Sequence, residues 1–178
     1  VTLDGSASND PDSDLLGFSW TLTAPVGSTA ALSGENSAFP TFTPDLPGTY
    51  TATLTVNDPF DERAVDSIVV SVISAEQFAA AQIADALNLV GSLSLSQVTT
   101  RGNRQALQNL LNQALAALLA GDRDEARSKL MQAIERSDGC VLRGSPDGNG
   151  SGRDWVIECA AQGTLYDKLT AALNALML

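Results

Sequence analysis

The sequence predicts an α+β chain of two domains, an antiparallel β-sandwich over residues 1–73 followed by a small helical bundle over residues 74–178. Three observations carry this expectation. Apolar residues alternate with period two in the first part and recur at helical spacing in the second. The composition changes between them, from Ser, Thr, Gly and Pro with β-branched runs to Ala, Leu, Gln and Arg. Charge changes at the same place: of 21 Asp and Glu and 10 Lys and Arg, ten acidic residues and a single basic one, Arg63, precede Ile73. The charges after Ile73 nearly balance, which puts the boundary near Ser74-Ala-Glu76.

In the first part, Phe18, Trp20 and Leu22, then Tyr50, Ala52, Leu54 and Val56, then Ile68, Val70 and Val72 each read as a strand with one buried face. Gly27-Ser28, Ser33-Gly34 and Leu46-Pro-Gly48 supply turn chemistry between the runs, and the short spacing favours antiparallel pairing over crossover helices. After Ser74 the period changes. Ile83, Ala86, Leu87 and Val90 fall at i, i+3, i+4 and i+7, as do Leu107, Leu110, Leu111 and Ala114. Gly121 can end one helix while Asp122 caps the next, with Glu125 completing a capping box, so a tight helical hairpin is expected there. Ala126, Leu130 and Ile134 then face back onto Leu111 and Leu118. A last helix carries Leu165, Leu169, Leu173 and Leu176, after an irregular Gly-rich loop from Gly139 to Gly152. Phe78, Ile83 and Leu87 begin a helix soon after Ile73, so the linker is expected to be short and without the Gly/Ser composition of a flexible tether.

A formal charge of −11 and a pI near 4.1 argue against a nucleic-acid or anionic-membrane surface. With no histidine, the chain lacks every Ser-His-Asp, Cys-His and imidazole-metal arrangement. No apolar run reaches the roughly 18 residues that a membrane span needs. Val1-Thr-Leu-Asp-Gly5 reads neither as a signal peptide nor as a folded start, and the chain is expected to be cut from a longer one. There is no Ser-x-x-Lys or Gly-x-Ser-x-Gly motif, so no enzyme is expected.

Two loops have the oxygen spacing of a hard-cation site. Asp10, Asp12 and Asp14 alternate in a Pro-containing loop, so three carboxylates can converge on one Ca²⁺; the alternative is a solvated acidic turn. Asp147, Asn149, Ser151, Gly152 and Glu158 match positions 1, 3, 5, 6 and 12 of an EF-hand loop. That second candidate is the weaker, because Asp154 stands where a hydrophobic residue joins paired loops and no entering helix is evident. A flexible polar insertion is the better reading.

The string Leu3-Asp-Gly-Ser-Ala-Ser-Asn-Asp-Pro-Asp-Ser-Asp14, followed by Phe18-Ser-Trp20, Pro47-Gly-Thr-Tyr50 and Leu54-Thr-Val-Asn-Asp58, resembles the PKD (polycystic kidney disease) repeat family. The resemblance covers residues 1–73. It implies an immunoglobulin-like sandwich serving as a spacer or binding module of large extracellular proteins, with the usual first strand absent before Val1. It also implies that Asp58 lies at the same end of the sandwich as Asp10, Asp12 and Asp14 and joins them as a calcium ligand. Trp20 takes the place of the central sandwich Trp, and Tyr50 resembles a tyrosine corner.

The second part is similar to a helical module found near the C-terminus of large secreted bacterial proteins. Asn109-Leu-Leu-Asn-Gln113, Gly121-Asp122, Leu130, Ser137-Asp-Gly-Cys140 and Asp154-Trp-Val-Ile-Glu-Cys159 carry that similarity, which brings no activity with it. In such an extracellular chain, Cys140 and Cys159, the two cysteines present, read as a disulfide across the Gly-rich loop; buried free thiols or metal ligation are the alternatives. The expected whole is a calcium-stabilised, non-catalytic spacer and adhesion or anchoring module, secreted or at the cell surface. Its partners would be neighbouring domains of the same polypeptide and possible surface proteins or polysaccharides. The alternative is a carbohydrate-binding accessory of a secreted hydrolase, for which exposed aromatic rings would be the mark.

Overall fold

In the computed structural model, which describes residues 1–60, 62–146 and 153–177, the chain divides into two units, Val1–Ser74 and Ala75–Leu178. The first unit contains three strands, β1 (Gly17–Thr23), β2 (Gly48–Asn57) and β3 (Arg63–Val72), paired antiparallel in the order β1-β2-β3. Register follows the alternation. Trp20 pairs with Leu54, and Ala52 with Ile68, so the apolar sets of neighbouring strands share one face. Threonines and serines dominate the other face on β1 and β2, and the exposed Val65 and Val69 share it on β3. Leu3 and Phe42 cover the apolar face over Trp20, Tyr50, Ala52, Leu54 and Val56.

Leu3 and Phe42 come from extended segments joined by isolated bridges, Thr2 with Thr41 and Ser33 with Thr41. Among the described residues, then, the named strands form one sheet, and the layer above it is held by isolated bridges. The physical reason lies in the segment between β1 and β2. Pro25, Pro40, Pro44 and Pro47 lack the N–H a ladder needs, and Gly27 and Gly34 turn with φ of 87° and 77°. The expectation that each strand buries one face fails at one point. The inner face of β2 is buried from Tyr50 to Val56, whereas Ile68 on the same face of β3 is 52% exposed.

The second unit is helical: α1 (Ala75–Ser92), α2 (Arg101–Leu119), α3 (Arg123–Ile134), the short α4 (Gly139–Arg143) and α5 (Cys159–Ala175). α1 packs on α2, α2 on α3, α3 on α5 and α5 on α1, which closes a ring around one core. Ile83, Leu107, Leu111, Leu130, Leu165 and Leu169 are fully buried in it. The expected hairpin is present. The Gly121 N–H donates to the Leu118 carbonyl and the Asp122 N–H to the Ala117 carbonyl, ending α2 in a Schellman motif with Gly121 at φ 80°. Asp122 then accepts from the Glu125 N–H at 3.0 Å, so a single residue closes one helix and opens the next.

Candidate functional site

The acidic end of the first unit is built by two carboxylates that organise their own loops. Asp10 Oδ1 accepts from the Asp12 N–H at 2.8 Å and the Asp14 N–H at 3.1 Å, folding the loop back on itself with Ser13 at φ 68°. Asp58, 9% exposed at the end of β2, does the same for the β2–β3 turn: its Oδ1 accepts from the Phe60 and Glu62 N–H groups, both at 2.9 Å. The two loops meet. Asp10, Asp58 and Glu62 line one cavity of about 180 Å³, together with Asn9, Asn57 and Arg63.

The structure therefore brings Asp10 and Asp58 to one place and adds Glu62, which sequence reasoning missed because only the turn geometry returns it to the cavity. Asp12 and Asp14 do not line that cavity. Among the described residues, no group of three or more His, Cys, Asp or Glu side chains is placed to hold a metal ion. A cation in this cavity would draw on the amide oxygens of Asn9 and Asn57, backbone carbonyls and water alongside the carboxylates, a donor set that suits Ca²⁺.

The second acidic loop cannot be described in the same way, because Asp147, Asn149, Ser151 and Gly152 lie outside the described residues. Glu158, its last member, is the N-cap of α5 and accepts from the Ala160 N–H at 3.0 Å and the Ala161 N–H at 2.8 Å. Those two amides, Ala161 first, hold its carboxyl below the ordinary range. Asp154 is fully buried and accepts from the Asp138 and Gly139 N–H groups at the start of α4. Its position is thus explained by capping within the fold.

Cys140 in α4 is joined to Cys159 at the start of α5, with Cα atoms 5.4 Å apart. Around this bond the segment before α5 is stitched to the bundle. The Trp155 N–H donates to the Arg136 carbonyl at 2.7 Å, Val156 bridges Val98, and Gln162 donates to the Val156 carbonyl at 2.8 Å. The Arg136 guanidinium lies 5.0 Å from the centre of the Trp155 ring. Trp155 also borders a groove of about 240 Å³ with Asn109, Gln113, Gln132 and Arg136.

Trp20 and Tyr50 are core residues, as the sequence led one to expect. Trp20 donates from Nε1 to the Ser37 carbonyl at 3.1 Å. The Tyr50 hydroxyl donates to the Leu46 carbonyl at 2.9 Å and accepts from the Leu46 N–H at 3.0 Å, which is the hydrogen bonding of a tyrosine corner. No curated protein matches this chain. Residues 1–72, the strand-bearing unit with the acidic end, match the family model of the K319L-like PKD domain.

Proposed function

We propose that the chain is a non-catalytic extracellular module of a larger polypeptide, acting as a spacer and an adhesion or anchoring element, with Ca²⁺ stabilising its first unit. The match of residues 1–72 to a PKD domain carries this reading. The Cys140–Cys159 bond supports it, since such bonds persist in oxidising compartments. Among the described residues no helix is long and apolar enough to cross a membrane. That Asp10, Asp58 and Glu62 border one cavity in a unit with a single Arg supports the calcium part, with carbonyls and water completing any ligand set.

An ion that binds only the folded unit stabilises it by mass action. Each 1 kcal/mol gained raises the midpoint of a domain this small by about 4–8 °C. Calorimetry in EDTA and in millimolar Ca²⁺ is expected to show an upward shift confined to the first unit and removed by Asp58→Asn. Superimposable transitions would reject calcium stabilisation while leaving the spacer reading intact.

The carbohydrate-binding alternative rests on the groove that Trp155 shares with Asn109, Gln113, Gln132 and Arg136, a mixture of ring, amides and cation suited to hydroxyls and a carboxylate. One face of the ring is already met by Arg136, so a stacked sugar would have to displace it. The spacer reading therefore stands ahead. Titration with acidic and neutral polysaccharides, followed by tryptophan fluorescence, tests the alternative: saturable quenching lost in Arg136→Ala would favour it.

A further inference from the structure

The helical unit holds an arginine whose charge is answered by a ring and by no carboxylate. Arg123 pairs with Glu76, Arg127 pairs with Asp124, and Arg104 donates to the Leu93 carbonyl at 2.6 Å. Arg136, half-buried just beyond α3, pairs with no acidic side chain among the described residues; its guanidinium lies 5.0 Å from the centre of the Trp155 ring. The ring is held through its own backbone. The Trp155 N–H donates to the Arg136 carbonyl, and its carbonyl accepts from the Thr99 N–H at 2.9 Å, so it is tied both to the end of α3 and to the segment before α2. A guanidinium held against a ring keeps its N–H donors in its own plane, where a bidentate acceptor can reach them.

The groove beside this pair has a chemistry that selects a ligand. α2 contributes Asn109 and Gln113, one turn apart, and α3 contributes Gln132. Among the described residues no protein group bonds the side-chain amides of Asn109 and Gln113, and Gln132 engages its Nε2 alone, with Ser128. Free amides both donate and accept, which suits hydroxyls. A single guanidinium with no lysine beside it matches a carboxylate, fork to fork, better than a phosphate dianion. The volume of about 240 Å³ is below the ~300–1,000 Å³ of a site for a drug-sized ligand, which limits the groove to one unit of a chain. A sugar that carries its own carboxylate brings both sets of groups on one ring, whereas an acidic peptide brings carboxylates without the hydroxyls. The near-neutral second unit does not repel such an anion as the first unit would.

We propose that this groove binds one uronate unit of an acidic extracellular polysaccharide, with the carboxylate on the Arg136 guanidinium and the hydroxyls on Asn109, Gln113 and Gln132. Trp155 positions the guanidinium and is not the platform for the sugar, so the cation keeps its place over the ring. The proposal rests on the adhesion part of the proposed function and names the ligand for it.

The test uses the full chain in EDTA, which removes calcium bridging, and titration calorimetry with α-1,4-linked tetragalacturonate. Saturable binding is expected, weakened about tenfold or more when the probe is methyl-esterified, a change that removes its charge and keeps its ring hydroxyls. Tetraglutamate, with the charge and without the hydroxyls, should bind about tenfold more weakly as well. Arg136→Lys keeps the charge and loses the fork, and should cost about tenfold; Gln113→Ala should cost about fivefold for the sugar and leave tetraglutamate unchanged. Thermal unfolding of each variant checks that the second unit remains folded. The proposal is overturned if tetragalacturonate does not saturate, if tetraglutamate binds equally well, or if folded Arg136→Lys keeps full affinity. It is overturned too if the ester binds as well as the acid, but adhesion then stands with a neutral sugar as its ligand. All these outcomes are read without calcium, so they leave the calcium test of the first unit untouched.

Discussion

At Asp45 one exposed carboxylate ties two loops of the first unit together. Its Oδ2 accepts from the Thr29 N–H at 2.7 Å and the Thr29 hydroxyl at 2.8 Å, while its Oδ1 accepts from the Ser28 hydroxyl. These bonds, Ser28 first, hold its carboxyl well below the ordinary 3.8. A depressed folded-state pKa gives stability that is complete above the ordinary value and is lost as pH falls from there through the folded one. Asp45→Asn is therefore expected to lower the urea midpoint of the first unit at neutral pH, with the gap from the unaltered protein closing as the pH is taken below 3.8. A gap independent of pH would mean that the amide loses packing rather than charge. Tyr50, beside it, is fully buried, and its hydroxyl serves both polar groups of Leu46. Tyr50→Phe strands those groups and should cost about 1–3 kcal/mol in the same urea experiment. The tyrosine was legible from its place after Pro47-Gly-Thr49. Asp45 was not, because its partners lie about one loop away in sequence and only the fold brings Ser28 and Thr29 to it.

Elements here start and stop where local chemistry dictates, and two glycines show how differently a stop can be enforced. Gly121 has φ 80°, but a Cβ placed there would meet nothing within 4 Å, so Gly121→Ala should cost only the left-handed penalty of about 1–2 kcal/mol. Gly48 opens β2 at φ 141°, and a Cβ there would sit 2.7 Å from Pro25 Cγ in a rigid ring. Gly48→Ala is expected to destabilise its unit by about 3 kcal/mol or more, the strain and the clash adding, as read by thermal or urea unfolding. Equal costs at the two sites would show that Pro25 gives way. Strand and helix positions were visible in the sequence because period two and period 3.6 survive in single residues such as Trp20 and Ile83. The exposure of Ile68 was not visible in that alternation, since Ile68, Val70 and Val72 alternate as if equally covered, and alternation reports which side faces inward without reporting what lies over it. The helix caps divide in the same way: Asp122 follows a glycine and precedes Glu125, whereas Asp154 caps α4 from 15 or 16 residues away.

At the scale of the whole molecule, the uneven distribution of charge and covalent bonding assigns each unit its own response to solvent. The first unit carries nearly all the net charge and no disulfide; the second is close to neutral and is closed by Cys140–Cys159, a link across 19 positions. Each has its own hydrophobic core, one around Tyr50 and Leu54, the other around Ile83, Leu111 and Leu165. Screening should therefore relieve repulsion in the first unit and leave the second almost unchanged. Opening the disulfide restores loop entropy to the unfolded second unit and should cost it about 3 kcal/mol, enough to lower its midpoint by about 10 °C or more. Calorimetry is expected to resolve two transitions: added NaCl raises one and leaves the other, and reductant lowers the one that salt leaves. Alanine at both Cys140 and Cys159 should mimic the reductant and abolish its further effect. If salt and reductant instead move a single shared transition, the two cores unfold as one cooperative system, and the division at Ser74 is one of contacts without being one of stability.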